Sequence, residues 1–479
     1  MIVKKAAAIV SYFLKRDMQK KNIAVILAAG NGDRAGFPRP KQLTKLAGRP
    51  IVVHTVQRFQ NHPNIDEIAI VTNQDCIADM EGFIPKYRFT KVKNILLGGK
   101  ERHESSLVAV RAYENETTFF DIKLIFHDAV RPLVDDRTIS EVIASLDSYN
   151  AVNVTMPASD TVVIADPDAN TIREIPDRRL IHLGQTPQGF AYGTIKKAYE
   201  AALQDAAFRT TDDCGVVLKY LPEEKIYLVR GALNNVKLTF PDDLLIIDKY
   251  MQANAGRRLE AASDAAMLSA LKGISLVVFG GTGGIGSAIV RLARAFGANV
   301  HVASRSTGVD ITDQEAVRLY LKKVAAGSGK IDAIINVAAV LNREPFAHMS
   351  PVDMTNSIQT NFAGALNIAR FSFNYLKSAQ GHLVFFTSSS YTYGRAGYSV
   401  YSASKAAIVN LTQALADEWA DFDIRVNCIN PERTRTPMRT KSFGIESQAE
   451  LLEPDVVASK TLGVLLGQST GYIYDITKA

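Results

Sequence analysis

A chain of 479 residues exceeds what one ordinary hydrophobic core organises, so two or three domains are expected. With 47% hydrophobic and 22% charged residues, its composition is that of a soluble globular protein. The net charge of +6 is spread along the chain, the three cysteines (Cys76, Cys214, Cys428) are far apart, and no apolar run approaches the ~18–20 residues that span a bilayer; a nucleic-acid-binding stripe, a disulfide framework and a transmembrane segment are thereby excluded.

Lys4-Lys5 followed by Ala6 to Leu14 imitates the start of a secretory signal, but Lys15-Arg16-Asp17 comes next, with no small-residue cleavage site. Residues 1–21 therefore read as an amphipathic helical extension: a partner or membrane-surface helix, a surface or dimer helix, or a partly disordered segment, with Met18 as an alternative start. Residues 22–250 alternate apolar runs with helical stretches, with candidate strands at Ile23–Leu27, Glu67–Thr72, Lys123–Phe126 and Val152–Met156. That alternation predicts an α/β domain with a largely parallel sheet. Residues 251–272 are Ala-rich and lack a strand, which predicts a helical linker. A second pattern fills 273–479, with candidate strands at Ser275–Phe279, Asn299–Ala303, Ala333–Asn336, Leu383–Thr387 and Ile424–Ile429. The fold expected is α/β, with two Rossmann-like, doubly wound domains. The cysteine usage points to a reducing, cytoplasmic compartment.

Each domain opens with a strand followed by a glycine-rich loop. The first loop is Ala28-Ala29-Gly30-Asn31-Gly32-Asp33-Arg34, with Pro40-Lys41 beyond it. Small residues let backbone N–H groups approach phosphate oxygens, and Arg34 and Lys41 add fixed positive charge. This suits a nucleoside triphosphate whose leaving group is pyrophosphate, a reaction that needs positioning and charge neutralisation above all. A divalent cation is expected, and Asp128, at the carboxyl end of a strand, is the carboxylate placed to hold it.

Further segments accompany that loop in order: Gly98-Gly99-Lys100-Glu101-Arg102 with Ser105-Ser106, His127-Asp128-Ala129 with Arg131-Pro132, Asp177-Arg178, Gln185-Thr186-Pro187-Gln188, Thr211-Asp212-Asp213 and Asn235-Val236-Lys237. Over nearly the whole domain the chain resembles the cytidylyltransferases that act on 2-C-methyl-erythritol 4-phosphate or ribitol 5-phosphate. The resemblance implies that Arg34, Lys41 and Lys237 neutralise the triphosphate and the pentacovalent transition state, and that Asp128 binds Mg²⁺. It implies that Ala28, Ala29, Gly30, Gly32, Gly99 and Ser105 contact CTP, and that Arg178 and Thr211 hold the phosphate of the second substrate. His127 reads as a packing or hydrogen-bonding residue, because a phosphate monoester is already an anionic nucleophile.

The second loop, Gly280-Gly281-Thr282-Gly283-Gly284-Ile285-Gly286, carries no lysine. Its glycines permit a tight turn and a pyrophosphate at a helix N-terminus. Downstream, Tyr401 and Lys405 stand four apart, on one helix face. A nearby ammonium is expected to lower the phenol pKa and ready Tyr401 as a general acid, with Ser388 hydrogen-bonded to a substrate carbonyl. The end of the second strand offers Ser304-Arg305-Ser306 and no carboxylate, which favours the 2′-phosphate of NADP(H).

With these residues the domain resembles the short-chain dehydrogenase/reductase family. The resemblance implies that Asn361 supports a proton-relay water and that Asn336, Ala338, Pro431 and Thr434 join Gly280, Gly284, Ile285 and Gly286 around the cofactor, with Asp310 near the adenine. Val337 and Glu432 replace usual residues, and the stretches between Arg305 and Asp310 and after Met438 are short, which predicts an open mouth suited to a phosphorylated sugar.

A ketoreductase joined to a cytidylyltransferase implies that one makes what the other consumes. The pairing resembles the bifunctional enzymes of bacterial surface-polysaccharide pathways. It implies NADPH-dependent reduction of D-ribulose 5-phosphate to D-ribitol 5-phosphate, then transfer from CTP to give CDP-ribitol, with Mg²⁺, by a homodimer. The alternative is a 2-C-methyl-D-erythritol 4-phosphate cytidylyltransferase whose reductase-like domain has another or a regulatory role.

Overall fold

The computed structural model describes residues 19–30, 40–118, 120–258 and 263–478, so residues 1–18 of the expected extension, and Gly32 and Arg34 of the first loop, lie outside it. The chain divides into two compact units between Ile247 and Asp248.

The first unit contains β1 (Gln19–Ala28), a hairpin of β2 (Lys45–Leu46) and β3 (Arg49–Pro50), then β4 (Glu67–Thr72), β5 (Val92–Leu97), β6 (Phe120–Asp128) and β7 (Ala151–Pro157). A second hairpin, β8 (Ile164–Asp166) and β9 (Ala169–Glu174), precedes β10 (His182–Ala191) and β11 (Ile226–Arg230). Seven strands form the sheet in the order β11-β7-β10-β6-β1-β4-β5. It is mixed: β10 runs antiparallel to both β6 and β7, and the other pairings are parallel. Helices cover both faces, so β1 is a continuous apolar run, with Ile23 and Val25 in one core layer and Ala24 and Ile26 in the other.

Residues 19–21, expected as the end of a helix, are strand. Gln19, Lys20 and Lys21 pair in register with Phe120, Asp121 and Ile122. Lys20 Nζ reaches Asp147 at 2.7 Å, and Lys21 Nζ reaches Glu67 at 2.7 Å and Glu116 at 2.6 Å. Ladder bonds and these carboxylates outweigh the helical pattern of the preceding residues.

The second unit holds β12 (Ser275–Phe279), β13 (Asn299–Ala303), β14 (Ala333–Asn336), β15 (His382–Phe386), β16 (Arg425–Pro431) and β17 (Ile473–Ile476). All pairings are parallel, in the order β13-β12-β14-β15-β16-β17. Val277 and Phe279 of β12 enter one core layer, and Leu276 and Val278 the other. Each such fully buried side chain contributes roughly 1.5–3 kcal/mol. The stretch expected as a linker adds to this unit. Gln252 Oε1 accepts from the Ile473 N–H at 2.8 Å, and Met267 and Leu271 of the helix Asp264–Leu271 are buried with Leu276 and Val278.

Candidate active sites

In the first unit β1 lies between β4 and β6, so the strand order reverses beside it, and the carboxyl end of such a strand is where open α/β sheets bind ligands. Ala28, Ala29 and Gly30 occupy that end. Gln42 Nε2 donates to the Ala28 carbonyl at 2.7 Å, which sets the half-buried Lys41 beside the strand end. A Cβ on Gly98 would stand 2.6 Å from both Ala29 Cβ and Ser105 Oγ, so these three residues are pressed together; Gly99 lies as closely on Glu104.

Asp128 ends β6. Its Oδ2 lies 3.0 Å from Lys237 Nζ and 3.2 Å from Arg131 Nε, and its Oδ1 lies 3.9 Å from Arg102 Nε. Burial, the largest single influence, pushes the carboxyl up, but Lys237, Arg102 and Arg131 together outweigh it and hold it well below the carboxylate range. Arg102 also pairs with the buried Asp213, which accepts from the Tyr199 hydroxyl at 2.6 Å. Thr211, exposed, stands two residues before Asp213. Arg178 is exposed too; its guanidinium donates to the Ser159 carbonyl at 3.0 Å, and among the described residues no bond joins it to the Asp128 cluster.

His127 is committed on both ring nitrogens. Nε2 meets the Arg131 carbonyl at 3.0 Å, Nδ1 meets Thr186 Oγ1 at 3.0 Å, and that oxygen accepts the Asp128 N–H at 3.1 Å. Burial brings its pKa down to about 4, so the ring is neutral and orients Asp128 rather than exchanging protons. Among the described residues no three acidic, histidine or cysteine side chains converge as a metal cage. The single carboxylate of Asp128 fits a magnesium ion that shares its shell with phosphate oxygens and water.

In the second unit β12 is the strand at which the order reverses, and a cavity of about 710 Å³ opens there. Gly280 turns the chain at φ +77°, and a Cβ on it would stand 2.7 Å from the Ala338 nitrogen. Gly284 and Ile285 begin the helix Gly284–Ala295 and line the cavity, whereas Gly286 packs against the Gly280 carbonyl. Ser304, Arg305 and Asp310 line the same end. Asp310 Oδ1 accepts from the Thr312 N–H at 2.9 Å and its hydroxyl at 2.8 Å. Pro431 and Thr434 close another wall, while Asn336 ends β14 and accepts the Ala338 N–H at 3.1 Å.

Ser388, Tyr401 and Lys405 all line the cavity, and the Ser388 hydroxyl oxygen accepts from the Ser390 N–H at 3.4 Å. Lys405 Nζ donates to the Phe386 carbonyl at 2.9 Å and sits 5.6 Å from the Tyr401 ring centre. The expected lowering of the phenol by the ammonium is not found. Burial dominates both groups, pushing Tyr401 up to about 12 and Lys405 down to about 8. A phenol that keeps its proton still serves as a proton donor. Asn361 is buried in a π-helical turn, Gln359–Ala363, and does not line the cavity. Its amide bonds the Val340 carbonyl at 2.9 Å and accepts the Val340 N–H at 2.8 Å, which fixes the segment after β14. The short stretch after Met438 is not bare: the helix Pro437–Phe443 places Met438, Arg439 and Phe443 on the cavity wall.

A family profile described as 2-C-methyl-D-erythritol 4-phosphate cytidylyltransferase matches residues 22–253, and one described as short chain dehydrogenase matches 306–445. The bifunctional ribulose 5-phosphate reductase/CDP-ribitol pyrophosphorylase Bcs1 of Haemophilus influenzae is 45% identical over 96% of this chain and 96% of its own. The chain belongs to the bifunctional ribulose 5-phosphate reductase/CDP-ribitol pyrophosphorylase family. The 2-C-methyl-D-erythritol 4-phosphate cytidylyltransferase of Thermobifida fusca is 40% identical but meets only 49% of this chain, over 94% of its own. The crystal structure of 4-diphosphocytidyl-2C-methyl-D-erythritol synthase from Anaerococcus prevotii is 27% identical over 49% of this chain and 96% of that one, with a TM-score of 0.43.

As a member of the bifunctional reductase/pyrophosphorylase family, the chain is a two-part enzyme, and its short-chain dehydrogenase unit implies an NAD(P)H cofactor. No described helix is long and apolar enough to cross a membrane. Arg102, Arg131 and Gln42 join the first site of this family member although the sequence alone gives them no role; all three stand inside the motif segments, Arg102 next to Glu101, Gln42 next to Lys41 and Arg131 three residues after Asp128. Arg439, beside the second site, carried no motif at all.

Proposed function

We propose that the chain makes CDP-ribitol in two steps: NADPH-dependent reduction of D-ribulose 5-phosphate, then cytidylyl transfer from CTP to D-ribitol 5-phosphate. The observation that carries this reading is a single chain, similar over 96% of its length to a bifunctional enzyme, holding both the Ser388–Tyr401–Lys405 set and the Asp128–Lys237–Arg131 cluster.

In the reductase unit, Ser388 would hydrogen-bond the C2 carbonyl and Tyr401 would give its proton to the forming alkoxide oxygen. When bound, the reduced nicotinamide supplies the hydride to C2. Arg305 and Ser304, in a Ser304-Arg305-Ser306 stretch that itself carries no carboxylate where it follows β13, favour a cofactor bearing a 2′-phosphate. Lys405 holds its charge beside Tyr401 only below about pH 8. The kcat/KM for reduction is therefore expected to fall as pH rises through about 8, with Tyr401 still protonated. Lys405→Arg, which keeps the charge, should move that limb upward by more than about one unit, and a flat profile in both proteins would contradict the assignment.

In the transferase unit, a phosphate oxygen of ribitol 5-phosphate attacks the α-phosphorus of CTP. The new P–O bond forms as the α–β bridge breaks, and pyrophosphate leaves. Lys41, Lys237 and Arg34 would balance the charge that develops, and Arg178 and Thr211 would hold the acceptor phosphate. Asp128 would hold Mg²⁺, which when bound neutralises triphosphate charge. The product would feed a capsule or teichoic-acid-like polymer, and a cytoplasmic homodimer is the expected form.

Purified full-length chain with NADPH, D-ribulose 5-phosphate, CTP and Mg²⁺ should oxidise NADPH, release pyrophosphate and accumulate CDP-ribitol. Failure of both signals, or preference for 2-C-methyl-D-erythritol 4-phosphate in pyrophosphate release, would sink the proposal.

A further inference from the structure

Positive charge gathers at two separate parts of the second-unit cavity. Arg305 follows β13, on one side of β12, with Gly280 and Asp310. Arg395 follows β15 and Arg439 follows β16, on the other side of β12 in the sheet order. The loop after β12 and the end of β13 are where a dinucleotide places its pyrophosphate and adenosine. The arginines beyond β15 and β16 are left without an anion from that cofactor.

Arg439 is built into its place. Its Nε and Nη2 meet the two carboxylate oxygens of Glu446 at 2.6 and 2.7 Å, with both side chains only 19% exposed. Its guanidinium lies 4.4 Å from the centre of Phe443. Phe443 packs edge-on against Tyr398 at 6.0 Å, and Tyr398 against Tyr401 at 6.3 Å. An aromatic row thus connects this arginine to the proposed proton donor, and its charge is felt at the Tyr401 phenol. Glu446 uses two donors of a five-donor fork, and the remaining N–H groups have no acceptor among the described residues. Arg395 is exposed on the same cavity and has no acidic partner among the described residues. Glu446 also feels Arg433 and Arg343, so one carboxylate faces several guanidinium groups.

We propose that Arg395 and Arg439 form the binding site for the phosphate monoester of the sugar substrate, and so make the reductase unit select phosphorylated over unphosphorylated ketoses. A planar guanidinium with a free edge matches two oxygens of a phosphate, and the surplus charge on this wall has no use for a neutral sugar. The inference rests on the reductase reading above and deepens it.

The test compares D-ribulose 5-phosphate with D-ribulose in the full-length chain at saturating NADPH. In Arg395→Gln, kcat/KM for the phosphorylated ketose should fall about 10- to 100-fold, mostly through KM, while the value for D-ribulose moves by less than about threefold; in Arg439→Gln the phosphorylated ketose should lose at least as much. Inorganic phosphate should compete with D-ribulose 5-phosphate, and its inhibition constant should rise in Arg395→Gln. Arg439 also holds the Pro437–Phe443 helix through Phe443 and Glu446, so the exposed Arg395 is the deciding position. An unchanged preference in Arg395→Gln, or equal losses on both sugars, overturns the phosphate site. Wild-type chain that does not oxidise NADPH with D-ribulose 5-phosphate overturns the reductase reading instead.

Discussion

Tyr401→Phe is expected to lower NADPH oxidation with D-ribulose 5-phosphate by about 10²- to 10⁴-fold, the usual weight of a positioned general acid. The half-buried Tyr401 lines the cavity with Ser388, and desolvation pushes its phenol up to about 12, so the resting enzyme carries the proton that the alkoxide needs. Phenylalanine keeps the ring and its edge contact with Tyr398, so the fold of the second unit should be little affected. CDP-ribitol formation from supplied D-ribitol 5-phosphate should survive, because Tyr401 and the Asp128 cluster belong to different units. The two substrates therefore separate a catalytic loss from a folding loss. If the variant still made CDP-ribitol from D-ribulose 5-phosphate at the wild-type rate, the second unit would be a scaffold or cofactor sensor, not the reductase.

The complementary result is expected from Lys237→Met. Pyrophosphate release from CTP and D-ribitol 5-phosphate should drop by about 10²- to 10³-fold, the scale seen when one preorganised charge is removed from a transition state. NADPH oxidation should persist. Lys237 is the better probe of this cluster than Asp128. With Lys237 gone, Arg131 at 3.2 Å and Arg102 at 3.9 Å still face the Asp128 carboxylate, so the buried charge keeps partners. Asp128→Asn would leave Lys237, Arg131 and Arg102 around a neutral amide, at about 3–5 kcal/mol for a broken buried pair, and would mix stability with catalysis. Pyrophosphate release within tenfold of wild type in Lys237→Met would remove Lys237 from the transition state.

Strands buried on both faces were legible because their apolar runs are continuous: Glu67–Thr72, Ser275–Phe279 and Ala333–Asn336 run as the patterning predicts. β10 was not legible. Its first half, His182-Leu183-Gly184-Gln185, is polar and largely exposed, and only the half from Thr186 onward is buried. Its antiparallel insertion between β6 and β7 follows from chain routing, which periodicity does not record. At the sites the residue types were readable, but their pairing was not. Arg102 meets Asp213 across 111 positions, and Gln42 meets Ala28 across 14.

By itself, the sequence determined two α/β domains, two phosphate loops of different chemistry and the Tyr401/Lys405 spacing, because periodicity and motif spacing are local properties of a chain. Only the tertiary structure decided which charges share a pocket and which groups leave water. Asp128 is held ionised by three cations drawn from three separate segments. Tyr401 and Lys405, whose spacing predicts a lowered phenol, are instead governed by burial, since desolvation depends on everything packed around a group and not on its neighbours in sequence.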